Sequence, residues 1–292
     1  MDENTEWKTA LLLDCSLSQL SQYTSSPILL DVSKTKQNVA PVPTFNTIVG
    51  LCIEGLLEYI RIVYDLFPQN ASACAFINTG AVSMRLNDWT PAEQSLDYVV
   101  SRLSAVTSSL ASDPKRVQFN LEPALLSVLE AICEKASERE RVKGRVVVLM
   151  AHSKDTPTAP PPLKAPSIVS NLTQLLSTRT NSIRALDLLL VKVVDTPSAP
   201  AGSYTLSTVT EARCIQTDVK GMRFRWREME CSAGSIVDLM CAAVQVHYSL
   251  RTVTVSGIPM KESASSSSDP SPSSSTTTST STSTSLCFPP AT

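Results

Sequence analysis

Apolar residues fall into two rhythms along this chain. Residues 9–14 form an unbroken run through Leu11, Leu12 and Leu13 that ends at Asp14, which predicts a buried first strand opening into a polar loop. Similar runs over 146–150 and 185–194 predict central parallel strands, because only a strand covered on both faces drops its alternation. Residues 48–67 instead repeat every three to four positions, with Cys52, Leu56, Ile60 and Val63 on one face and Glu54, Glu58, Arg61 and Asp65 on the other. This predicts a helix lying on a sheet, stopped by Pro68. Residues 73–78 and 81–86 read as strands around Thr79 and Gly80, and so short a link forces an antiparallel hairpin at the sheet edge. Thr90, Pro91 and Glu93 read as N-cap, N1 and N3 of a capping box opening a helix to about residue 110.

Further helices are predicted over 121–141, 168–178 and 234–248, and extended pieces over 28–31, 204–214, 222–229 and 251–259. Residues 156–166 form a polyproline-type connection. From residue 263 onward the chain is nearly all Ser, Thr and Pro, too poor in apolar surface to offset ordering entropy. The expected organisation is one α/β domain over 1–262 and a disordered tail over 263–292. The sheet is expected to be doubly wound and mostly parallel, with one antiparallel edge hairpin and helices on both faces.

Composition narrows the function classes. A formal net charge of −2 gives no global field toward nucleic acid or anionic lipid. No apolar run approaches the roughly 18 residues that span a bilayer, so no membrane partner is expected. The acidic start, Asp2 and Glu3 before Glu6, lacks the basic and apolar parts of a secretory signal, and an intracellular protein is expected. Eight cysteines without a C-x-x-C pair read as small buried hydrophobes in a reducing compartment.

Two stretches carry candidate chemistry. Asp14, Ser16 and Ser18, spaced two apart after a buried strand, resemble the first element of the metal-ion-dependent adhesion site of von Willebrand factor A domains. One carboxylate and two hydroxyls in a tight loop are oxygen donors of the kind Mg²⁺ takes. That site also needs a threonine before a later helix and an aspartate after a later central strand. Here those places read Phe119-Asn120 and Ala151-His152-Ser153. The expectation is a degenerate site that binds Mg²⁺ weakly, or a loop whose Asp14 and Ser16 satisfy backbone groups. His152 and His247 form no recognisable pair, and neither phosphate-binding glycine motif occurs, so no enzyme activity is expected. In the second stretch, Lys220, Arg223, Arg225 and Arg227 alternate with Phe224 and Trp226. On a strand this puts three guanidiniums on one face, either blunting an edge or facing nucleic-acid phosphates or an acidic partner.

Three segments together resemble one family. Ile53-Glu54, Leu57-Glu58-Tyr59, Arg61-Ile62, Tyr64-Asp65 and Phe67-Pro68 look like the signature helix of the asunder family, the Integrator subunit 13 group. Asn87, Trp89-Thr90, Gln94 and Leu96 are similar to the same family, as is Ile258-Pro259-Met260-Lys261-Glu262. The likeness covers about residues 7–262. It implies a von Willebrand A-like domain with no need of a metal, in a nuclear Integrator subunit that pairs with Integrator subunit 14. It further implies roles in small nuclear RNA 3′-end processing, transcription attenuation, mitotic progression and perinuclear dynein. Family members continue past this point into a β-barrel and a helical region, where this sequence has its Ser/Thr segment.

Overall fold

The computed structural model describes residues 7–15, 28–30, 42–44, 46–67, 73–78, 83–110, 121–134, 142–152, 183–195, 204–210, 212–219, 221–254 and 285–288. The first strand, β1 (Trp7–Asp14), is buried from Thr9 onward. Two short strands, β2 (Ile28–Leu30) and β3 (Val42–Thr44), pair antiparallel to each other. Then follow α1 (Ile48–Leu66), β4 (Ala73–Asn78), β5 (Ser83–Arg85), α2 (Leu96–Leu110) and α3 (Leu121–Cys133). The second half contains β6 (Val142–His152), β7 (Ile183–Val194), α4 (Leu206–Thr210), β8 (Arg213–Val219), β9 (Met222–Ser232) and α5 (Ile236–Tyr248). Last come β10 (Arg251–Thr254) and β11 (Ser285–Phe288).

Seven strands form one sheet in the order β5-β4-β1-β6-β7-β9-β8. Strands β4, β1, β6, β7 and β9 run parallel, which requires the intervening helices to cross over the faces. Helices α1, α2, α4 and α5 pack on one face, through residues such as Leu11, Val147 and Leu189 of the sheet. Helix α3 packs on the other, against Leu12, Val148 and Leu190. This is the doubly wound, mostly parallel α/β fold expected from the apolar runs.

Helix α1 shows why the pattern was readable. Thr47 Oγ1 accepts the Gly50 N–H at 3.0 Å as its N-cap, and its apolar stripe is buried from Ile48 to Tyr64. Each large aliphatic side chain buried there contributes about 1.5–3 kcal/mol. The helix lies so close to α5 that a Cβ on Gly55 would meet Ile236 Cγ1 at 3.0 Å and Met240 Cγ at 3.2 Å, so a larger residue there would need both side chains to give way.

Several expectations need correction. The helix expected from Thr90 begins only at Leu96. Residues Pro91–Glu93 form a separate 3-10 turn in which the Thr90 side chain caps nothing. Glu93 instead accepts the Asp88 N–H at 2.6 Å, and Ser95 Oγ accepts the Tyr98 N–H at 3.3 Å as the working cap. Residues 204–214 are not one strand but α4 followed by the start of β8. Strand β8 runs antiparallel to β9, so the sheet has an antiparallel strand at both edges rather than one. Within the segment expected to be unstructured, β11 pairs antiparallel with β10. The helix expected over 168–178 and the connection over 156–166 lie outside the described residues.

Candidate functional site

Asp14 sits where a ligand site of this fold would lie, at the carboxyl end of β1 in register with Asn78 of β4. It is only 1% exposed. The Cys15 N–H donates to the Asn78 carbonyl at 2.8 Å, and Asn78 Nδ2 donates to Ser83 Oγ at 3.0 Å. Beneath this end lies buried Cys52, whose thiol is raised above its ordinary value, first by burial and then by the nearness of Cys15, Cys231 and Asp14. Ser16 and Ser18 lie outside the described residues, as does the side chain of His152. The described residues at this end are thus the Asp14 carboxylate, the Asn78 amide and the Ser83 hydroxyl, with the Cys15 and Cys52 thiols beside them. Among the described residues no group of three or more His, Cys, Asp or Glu side chains could hold a metal ion.

The dense polar chemistry is at the other end of the strands. Thr9, Arg145, Asp187 and Arg225 stand side by side in register across β1, β6, β7 and β9, all toward the α1 and α5 face. Arg227, two residues further along β9, turns back onto Asp187. Its Nη2 lies 2.8 Å from Asp187 Oδ2 and its Nε 3.3 Å from Oδ1, a two-pronged pair. Its Nη1 donates to the Val209 carbonyl of α4 at 3.2 Å, and Nη2 also lies 3.3 Å from His247 Nε2 on α5. The other ring nitrogen, Nδ1, is 2.7 Å from the Tyr59 hydroxyl on α1.

Since a guanidinium can only donate, His247 Nε2 must accept, which leaves the proton on Nδ1 facing Tyr59 Oη. The imidazole is thus neutral. Its pKa lies well below the ordinary value, first because it is buried and then because Arg145 and Arg227 oppose a third positive charge. Arg145 is clamped between two rings, with its guanidinium carbon 4.3 Å from the Trp7 centroid and 5.1 Å from that of Tyr248. Burial lowers its pKa, while Tyr59, Tyr248 and Asp187 work in the opposite direction. This network binds three helices to four strands and is closed to solvent: Arg227 is 2% and His247 5% exposed. No substrate reaches a histidine held that way, so its chemistry is structural.

Sequence reasoning had passed over this network, although a signal was present. Asp187 interrupts one apolar run that reads as a central strand and Arg145 stands directly before another, and a charge in such a place must find a partner.

The Asn87, Trp89 and Gln94 motif resolves into another structural task. Strand β5 is only three residues long and leaves the start of β4 uncovered. Side chains finish the edge: Asn87 Oδ1 accepts the Ala75 N–H at 2.8 Å, and Gln94 Oε1 accepts the Ala73 N–H at 3.1 Å. The Ala73 carbonyl takes the Tyr64 hydroxyl at 2.7 Å and Asn87 Nδ2 at 3.2 Å. Gln94 is drawn back to β4 in this way, which explains why the helix could not start at Thr90. Trp89 Nε1 donates to the Ala131 carbonyl at 2.9 Å, and Lys8 Nζ to those of Ile132 and Glu134 at 3.2 and 2.8 Å. Together they cap the carboxyl end of α3, where a cation also suits the helix dipole.

The basic strip on β9 is only partly as expected. Arg223, Arg225 and Arg227 do share a face, but Arg227 is buried in its ion pair, leaving Arg223 and Arg225 exposed. Nor is β9 an edge strand, because β8 covers it over its first seven residues. Lys220 lies outside the described residues. No described helix is long and apolar enough to cross a membrane.

Comparison with known proteins agrees with the signature segments. Protein asunder of Drosophila mojavensis is 25% identical over 224 residues, covering 72% of this chain and 31% of its own length. Integrator complex subunit 13 of Homo sapiens is 21% identical over 250 residues, covering 79% of this chain and 33% of its own. The chain thus spans about a third of the length of these curated relatives. Among solved structures, the SpRpn10 VWA domain matches with 12% identity and a TM-score of 0.40, covering 80% of this chain and 93% of that one. The TFIIH p34 N-terminal domain matches with 8% identity and a TM-score of 0.39, covering 64% and 81%. The profile of the family described as "Cell cycle and development regulator Mat89Bb" matches residues 3–270, and the chain belongs to that family.

Proposed function

We propose that this chain is a non-catalytic interaction subunit of the nuclear Integrator complex, contributing to small nuclear RNA 3′-end processing and transcription attenuation. Integrator subunit 14 is its proposed direct partner. A role in mitotic progression, with a perinuclear pool acting on dynein localisation, is part of the same proposal. Family membership supports the assembly. The observation that carries the non-catalytic part is the use made of the reactive side chains: His247, Arg227, Asp187 and Tyr59 spend their hydrogen bonds on one another inside the fold. Such a domain works through its surfaces.

Affinity capture of the tagged chain from nuclear extract, scored by mass spectrometry, tests this reading. Recovery of Integrator subunits with subunit 14 prominent is the expected result. Recovery of none of them would defeat it, and recovery of the complex without subunit 14 would remove the named partner alone.

A further inference from the structure

We propose that the outer edge of β8 is a docking site for an extended acidic peptide, one that adds an eighth strand to the sheet and presents carboxylates to Arg223 and Arg225. This goes beyond Integrator membership, since the surface could serve any partner carrying such a segment.

The backbone comes first. All seven residues of β8 pair with β9, from Arg213 opposite Glu228 to Val219 opposite Met222. The alternate N–H and C=O groups on its other side therefore point away from the sheet. Among the described residues no strand pairs with them. Arg213–Val219 contains no proline, lysine or glycine and its pairing with β9 is unbroken, so charge enters this edge only at Arg213 and Asp218. The opposite edge of the same sheet is cut to three residues and sealed by Asn87 and Gln94.

The edge is also held firmly. Just before β9, Gly221 takes φ 80° and donates its N–H to Asp218 Oδ1 near the end of β8 at 2.8 Å. Behind it, the Arg227–Asp187 pair fixes β9 to β7. Docking would therefore pay little in ordering the receptor.

Side chains define the occupant. On one face Cys214, Gln216 and Asp218 are exposed, and Arg225 and Arg223 stand directly behind Gln216 and Asp218 in register. Strands are spaced about 4.8 Å apart, so an arginine on β9 can lie across β8 and reach a strand added beyond it. On the other face Ile215 is half-buried against the α3-side core, offering apolar surface to a neighbour. An added strand would match both faces by alternating carboxylates with β-branched apolar residues, the usual logic of strand addition. Nucleic acid fits less well, because the burial of Arg227 leaves two exposed arginines beside the carboxylate of Asp218.

The test uses the whole purified chain and three fluorescent probes: a peptide alternating valine and glutamate, its valine–lysine counterpart, and an oligo-thymidine strand. Binding is read by anisotropy, and the amides of β8 by hydrogen exchange. The glutamate peptide is expected to bind and to slow exchange at β8. Replacing Arg223 and Arg225 together by Ser should weaken it at least tenfold. The lysine peptide should not bind. The proposal fails if the glutamate peptide does not bind, if the double variant binds it equally well, or if the oligonucleotide is bound in preference. It fails too if the outward-facing β8 amides, those not bonded to β9, are already protected in the free chain, since the edge would then be covered from within. Each readout is independent of whether Integrator subunits are captured from extract.

Discussion

The two edges of the sheet are built on opposite plans. At the β5 edge the chain closes what its short strand leaves open, with Asn87, Gln94 and Tyr64 taking the loose N–H and C=O groups of β4. At the β8 edge a strand of seven residues stands with no such cover among the described residues, yet the strand behind it is pinned by the best-buried ion pair among those same residues. Polar side chains can thus seal an edge or stiffen it for presentation. A strand edge left bare at random would cost solubility, whereas one held rigid is a surface ready for a partner.

The largest effect is expected at the pin. Arg227→Met leaves Asp187, whose side chain is 13% exposed, without this pair and should cost about 3–5 kcal/mol in urea unfolding, the usual penalty for breaking a buried pair from one side. Adding Asp187→Leu should recover much of that loss, and a double-mutant cycle would measure the coupling. If the single variant unfolds like the wild type, β9 is not anchored through this pair.

Next comes the seal. Asn87→Ala strands the Ala75 N–H and removes one partner of the Ala73 carbonyl, for an expected loss of about 2–3 kcal/mol. Chemical denaturation measures it, and a seal that matters should also show faster hydrogen exchange at Ala73 and Ala75. Unchanged exchange would mean that β4 needs no such cover.

A smaller effect follows from His247. The folded imidazole resists protonation, whereas the unfolded chain takes up a proton as pH falls through about 6.5. Its contribution is therefore complete above that pH and is lost as pH drops below it, at no more than about 1.4 kcal/mol per unit. Unfolding free energies measured between pH 7.5 and 5.5 should show a flatter slope in His247→Gln than in wild type. Equal slopes would mean that the histidine takes up its proton as readily in the fold as in the unfolded chain. Smallest of all, Ser at both Arg223 and Arg225 should shift stability by within about 0.5 kcal/mol, because both side chains are exposed. A larger loss in the melting curve would mark them as structural rather than as a waiting surface.

Much of this could be read in advance. The apolar runs at β1, β6 and β7 and the helical stripe of α1 gave class and layering, since burial on one or two faces writes itself directly into periodicity. The hairpin of β4 and β5 followed from the length of its link. What could not be read is which polar side chains would be drawn away from local roles. Glu93 and Gln94 look like helix-start residues, and both are used instead by Asp88 and β4, because an open N–H in a sheet outbids a solvated helix cap. Arg227 looks like the third member of an exposed strip. It is buried because α4 and α5 happen to cross above it.

The sequence by itself determined the central strands, the main helices and the family, all of which depend on residues near one another along the chain. Tertiary structure alone decided that Thr9, Arg145 and Asp187 share one row, that His247 stays neutral between Tyr59 and Arg227, and that one edge is sealed by side chains while the other has no such seal among the described residues. Those outcomes depend on register and on what lies overhead, and charges far apart in sequence acquire their roles only when folding removes water from between them.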